Sequence, residues 1–95
     1  MEYGQDIEPQ TLFKGLKTLK IIDVQALENY HLLVTFNNQI TKKYNMSQLF
    51  DLEIFKPLKN IDLFTQAKAQ SYGIVWNEEI DIAEYELWIN GQEII

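Results

Sequence analysis

The sequence predicts an α+β fold: an antiparallel β-meander sheet with short helices packed on one face, and a C-terminal helix. Three observations predict it. Apolar and polar residues alternate from Leu19 to Tyr44, the period of half-buried strands. After Tyr44 the apolar residues fall three and four apart, the period of helices. Turn formers, namely Glu28-Asn29, Asn37-Asn38-Gln39 and Asn77-Glu78-Glu79, punctuate the runs. Strands first and helices afterwards is the α+β order, not the alternation of a parallel fold.

The first strand is predicted over Leu19–Leu27, with Ile22, Val24 and Ala26 on one face. The second, His31–Phe36, puts Leu32, Val34 and Phe36 together and turns His31 to the opposite side. Asn tolerates the left-handed backbone of tight hairpins, so Asn37-Asn38-Gln39 connects to a return strand, Ile40–Tyr44. A three-residue loop pairs Phe36 with Ile40 and Leu32 with Tyr44. A two-residue loop sets Phe36 against Thr41 and Val34 against Lys43, so the first register is preferred.

Asn45 followed by Gln48 has the form of a helix start, predicting a helix over Met46–Leu52 that buries Met46, Leu49 and Phe50. Phe55-Lys56-Pro57-Leu58 reads as a bend, because the residue before proline is pushed from helical geometry. Asn60 caps a second helix over Ile61–Ala67, burying Ile61, Phe64 and Ala67. Lys68–Tyr72 and Gly73–Trp76 read as an extended hairpin. Asp81-Ile82-Ala83-Glu84 has capping-box form and opens the last helix, Ile82–Ile89, with Ile82, Tyr85 and Ile89 in one stripe and Asn90-Gly91 as its end. The predicted core is Ile22, Val24, Leu32, Val34, Phe36, Phe50, Phe64 and Val75, with Trp76 largely enclosed.

Hydrophobic residues make up 46% of the 95 and aromatics 13%, enough for one compact domain. Residues 19–95 are assigned to it, and residues 1–18 to an N-terminal arm. There is no cysteine, which removes disulfides, thiolate metal sites and a thiol nucleophile. The single histidine, His31, leaves no imidazole cluster for a metal. All eight basic residues are lysines against fourteen acids, a net charge of −6. Without arginine there are no bidentate phosphate clamps, and an acidic chain is repelled by nucleic-acid backbones. No direct nucleic-acid contact is expected. With no long apolar run and no basic leader, the chain is expected to be soluble and cytoplasmic, away from membranes.

No pattern in the sequence supports an enzyme or a cofactor. His31 lacks a nucleophile and an orienting carboxylate at any recognisable spacing. Glu78, Glu79 and Asp81 lack the alternating ligands and central glycine of a calcium loop, and read as a solvated turn with a helix cap. Lys42 and Lys43 are strand neighbours that point to opposite faces; an exposed lysine there serves to block an edge strand. The four glycines, Gly4, Gly15, Gly73 and Gly91, are isolated, so no phosphate loop exists.

Three stretches together resemble a known family: His31-Leu32-Leu33-Val34-Thr35-Phe36-Asn37-Asn38, then Asn45-Met46-Ser47-Gln48-Leu49-Phe50, then Ile74-Val75-Trp76 with Asp81-Ile82 and Leu87. In order and spacing they are similar to the small bacterial domain-of-unknown-function family 2442, over about residues 19–88. Phe64 matches that family's phenylalanine near the start of a helix. The chain departs from the pattern at two glycines, with Gln39 at the hairpin and Glu79 at the tryptophan turn. The resemblance implies a compact α+β domain with no assigned activity, so no catalytic or binding residue carries over. It also implies a setting in which many members lie beside a second small protein, in an arrangement like a toxin–antitoxin pair.

Two functions follow as expectations. The first is a protein–protein interaction module whose partner is a companion small protein or a second copy, with Leu12, Phe13, Leu16 and Trp76 as the contact surface. The second is a small-molecule-binding regulatory domain, with Trp76, Tyr72 and Tyr85 lining a pocket.

Overall fold

A computed structural model describes residues 19–94. Leu12, Phe13 and Leu16 lie outside the described residues. Strands β1 (Ile21–Ala26), β2 (His31–Phe36) and β3 (Thr41–Asn45) form the meander. Two 3-10 segments follow, Met46–Leu49 and Glu53–Lys59, then one turn of helix, α1 (Ile61–Phe64). Strands β4 (Lys68–Gln70), β5 (Gly73–Val75) and β6 (Asp81–Ala83) precede helix α2 (Glu84–Asn90) and a short β7 (Gln92–Glu93). The strands make two antiparallel sheets, ordered β1-β2-β3-β7 and β4-β5-β6.

The α+β class is as the sequence predicts, and so is the register of the second hairpin. Leu32 pairs with Tyr44 and Thr35 with Thr41, and the Phe36 N–H donates to the Ile40 carbonyl at 2.9 Å. Gln39 takes φ 75, the left-handed residue that closes a three-residue loop. It fills the glycine position of the family pattern without glycine's freedom.

Strand β1 corrects one face assignment. Ile21 pairs with Phe36 and Asp23 with Thr35, leaving Ile22 as an unpaired bulge residue. A bulge resets the two-residue alternation. Ile21 is therefore buried while Ile22, expected in the core, is 59% exposed. Val24 and Ala26 are half-buried.

The middle of the chain is more tightly wound than expected. Asn45 does cap the segment after β3, its Oδ1 accepting from the Ser47 N–H at 3.0 Å, but the helix is 3-10 and ends at Leu49. The predicted bend at 55–58 is instead the centre of a 3-10 helix, with Pro57 inside it. The fixed proline φ suits that geometry, and Phe55 and Leu58, three residues apart, share its buried side. Asn60 caps α1 through Asp62 N–H at 2.9 Å. This helix is one turn long, and Ile61 at its start is exposed rather than buried.

The C-terminal region differs most. Asp81 is not a helix cap: it pairs with Val75, and Ala83 pairs with Gly73. The β5–β6 ladder takes these residues, and α2 starts only at Glu84. The carbonyl of Tyr72 accepts the Glu84 N–H at 2.8 Å, so a carbonyl from the β4–β5 turn does the work expected of the Asp81 side chain. Moving the start by two residues re-aims the helix: Leu87 is fully buried, while Tyr85 and Ile89 face outward.

One continuous core joins the layers. It includes Leu32, Val34, Phe36 and Tyr44 of the first sheet, Ile74 and Ile82 of the second, Leu58 and Phe64 between them, and Leu87 of α2. Val75, expected in this core, is half-buried, while its neighbour Ile74 points in.

Candidate functional site

Helix α2 and strand β3 organise both surfaces that carry chemistry. Lys42 and Lys43 do point to opposite sides, but β3 is not an edge, because β7 pairs with it through Lys42–Glu93 and Lys43–Gln92. Lys42 belongs to the fold. Its ammonium lies 4.0 Å from the Trp88 ring centre and donates to the Trp88 carbonyl near the end of α2. Cation–π attraction and the negative helix end favour a cation there. Trp88 in turn meets Phe36 edge-to-face.

Lys43 lies across the sheet from this packing. With His31, Asn45, Gln48, Asn90 and Gln92 it lines a cleft of about 200 Å³. The register explains the grouping: His31 pairs with Asn45 and Lys43 with Gln92. His31 is half-buried here, on the face that strand alternation predicts.

Behind the cleft runs a chain of hydrogen bonds. The Tyr44 hydroxyl donates to Glu86 Oε2 at 2.8 Å, and Asn90 Nδ2 donates to the same oxygen at 2.9 Å. Burial, then the hydrogen bond to Glu86 and its negative charge, hold the Tyr44 hydroxyl well above the ordinary phenol range. A hydrogen bond with Gln48 pulls weakly the other way.

Trp76 is largely enclosed as expected, 5% exposed, and so does not join the contact surface also expected of it. Its indole N–H donates to the Phe64 carbonyl at 2.9 Å and its ring stacks on Phe64. The pocket of Trp76, Tyr72 and Tyr85 is therefore not assembled: Trp76 is buried, whereas Tyr72 and Tyr85 are exposed. Asn77 folds the loop after Trp76, its Oδ1 accepting from the N–H groups of Glu79 and Ile80 at 2.8 and 2.9 Å. The carboxylates of Glu78, Glu79 and Asp81 face solvent. Among the described residues, no group of three or more His, Cys, Asp or Glu side chains is placed to hold a metal ion. None of the helices found among those residues is long and apolar enough to cross a membrane.

Sequence reasoning singled out His31 and Lys43 separately but missed their meeting. The preferred hairpin register already implies the His31–Asn45 pair. Gln92 and Asn90 close the cleft only because β7 returns to β3, and a two-residue strand leaves no periodic signal.

Over residues 21–92 the chain matches the family described as Protein of unknown function (DUF2442). No curated protein matches it, and no solved structure does.

Proposed function

The chain belongs to the DUF2442 family of proteins of unknown function, and we propose that it works as a non-enzymatic protein–protein interaction module. The observation that carries this reading is the outward side of α2. Its inner side is already supplied by Leu87, fully buried, yet Tyr85 and Ile89 stand 60% and 52% exposed one turn apart. A helix with apolar residues on both sides is one built to be covered on both. Tyr72, 57% exposed, sits beside the first turn of α2 through the bond from Glu84 N–H to its carbonyl. Half-buried Glu84 lies in that same first turn.

An apolar patch on a chain of net charge −6 fits a basic partner, which that charge steers into place. A companion small protein, in an arrangement like a toxin–antitoxin pair, is the partner of this kind that the family setting offers. In this reading the chain acts in the cytoplasm, touches neither membrane nor nucleic acid directly, and adds Leu12, Phe13 and Leu16 to the contact.

Co-expression with the product of the neighbouring gene tests this. The two chains are expected to copurify, and Tyr85→Ala with Ile89→Ala is expected to separate them while the thermal midpoint stays near the parent's. Removing residues 1–17 is expected to weaken association in sedimentation without lowering stability. Copurification indifferent to both changes would refute this surface, and no association with that companion at all would refute the partner.

A further inference from the structure

We propose that the cleft between β2, β3, β7 and the end of α2 binds a small oxyanion, a carboxylate or a phosphate. The case rests on the charge of the lining and the donors it offers. The lining side chains are His31, Lys43, Asn45, Gln48, Asn90 and Gln92, without a carboxylate among them, in a chain whose net charge is −6.

Two of the oxygens around the cleft are already engaged. Asn45 Oδ1 receives both the Ser47 N–H at 3.0 Å and the Ser47 hydroxyl at 2.6 Å. That leaves the Asn45 amide NH₂ as its free hydrogen-bonding group. Glu86 Oε2, the carboxylate oxygen behind the cleft, receives both Tyr44 and Asn90. The donors that the lining offers are the Lys43 ammonium, a ring nitrogen of His31 and the NH₂ groups of Asn45 and Gln92, beside the amide oxygens of Gln48, Asn90 and Gln92. Lys43 is the one permanent cation in the lining. An ammonium with neighbouring N–H groups is the set that makes charge-assisted bonds to a carboxylate or phosphate.

The volume of about 200 Å³ is below that of a drug-sized pocket and suits a group of a few heavy atoms. The negative field of the whole chain opposes loose accumulation of anions, so saturable binding would report these donors specifically. This inference is independent of the outward side of α2, and loss of the protein partner would leave it standing.

The test is a titration of the amide NMR spectrum with inorganic phosphate and, separately, acetate, each at constant ionic strength made up with chloride. Saturable shifts at Lys43, Asn45 and Gln92, with a Kd on the order of 1 mM, are expected. Lys43 is exposed, so Lys43→Gln keeps the fold and is expected to weaken binding about tenfold, the loss of one charge-assisted bond. Lys68→Gln, on the other sheet, is expected to change nothing. Saturation by phosphate alone or acetate alone assigns the ligand to that class, and saturation by both leaves the shared chemistry. Linear, unsaturated drift with both ions, or equal affinity in Lys43→Gln, would overturn the proposal.

Discussion

Replacing Tyr30 by alanine and by glycine should reverse the usual order of those two substitutions. Tyr30 closes the β1–β2 hairpin with φ 60, next to Asn29 at φ 59. Asn accepts this left-handed region readily, but an aromatic residue rarely does, and the cost is about 1 kcal/mol. What holds Tyr30 there is its ring. It meets Phe50 at 5.1 Å and Phe64 at 5.2 Å between ring centres, both edge-to-face, and its hydroxyl donates to the Lys59 carbonyl. Two aromatic pairs contribute about 1–3 kcal/mol together, and the hydrogen bond about 0.5–1.5 kcal/mol. Tyr30→Ala loses all three and keeps the backbone strain, for a cost of about 3 kcal/mol, the low end for a large-to-small aromatic change. Tyr30→Gly loses the same contacts and releases the strain, for a cost of about 2 kcal/mol. At an ordinary position glycine is the worse of the two by about 0.5–1 kcal/mol. Urea denaturation followed by tryptophan fluorescence resolves the difference. A glycine variant less stable than the alanine variant, or an alanine variant matching the parent, would refute the claim that ring packing holds a strained turn.

The other predictions follow from the same contacts. Gln39→Gly removes a side chain from a φ of 75 and should stabilise by about 1 kcal/mol in the same denaturation assay. Gly91→Ala would place a Cβ 2.4 Å from the Leu87 carbonyl oxygen and 3.1 Å from Lys42 Cβ; it should destabilise by about 1–3 kcal/mol, read as a lowered thermal midpoint. Tyr44→Phe removes the donor to Glu86 and should cost about 1–2 kcal/mol near neutral pH. Because folding raises the Tyr44 pKa, the tyrosine's contribution is complete below the unfolded value of about 10 and is lost as pH rises above it. The stability gap between parent and Tyr44→Phe should therefore shrink above about pH 10. A gap that widens there would reverse the assignment.

The meander was legible because its signals are local: alternation in His31–Phe36 and a three-residue loop between Phe36 and Ile40 set the register on their own. Ile22 was misplaced because a bulge leaves the composition of a strand intact while shifting its phase, and the partner strand decides it. Asp81 was misread for a related reason. Its capping-box form is real, but pairing with Val75 involves two backbone groups and draws in Ile82, which outweighs one side-chain cap. Pro57 signalled a stop to an α-helix, not to a 3-10 helix. The cleft depends on β7, whose pairing with β3 is fixed by the exit direction of α2 and leaves no pattern in Gln92-Glu93. Trp76 reads from the sequence as a largely enclosed residue that also joins a contact surface, and Phe64 decides for the core by supplying both a stacking face and a carbonyl.

The most direct test of the proposed function is to map the contact on the isotope-labelled chain bound to its copurified companion. The account predicts the largest amide shifts at Tyr72, Tyr85 and Ile89, with affinity falling as salt screens the chain's net charge of −6. Shifts confined to the exposed residues Leu52, Ile54 and Ile61, with affinity insensitive to salt, would contradict it.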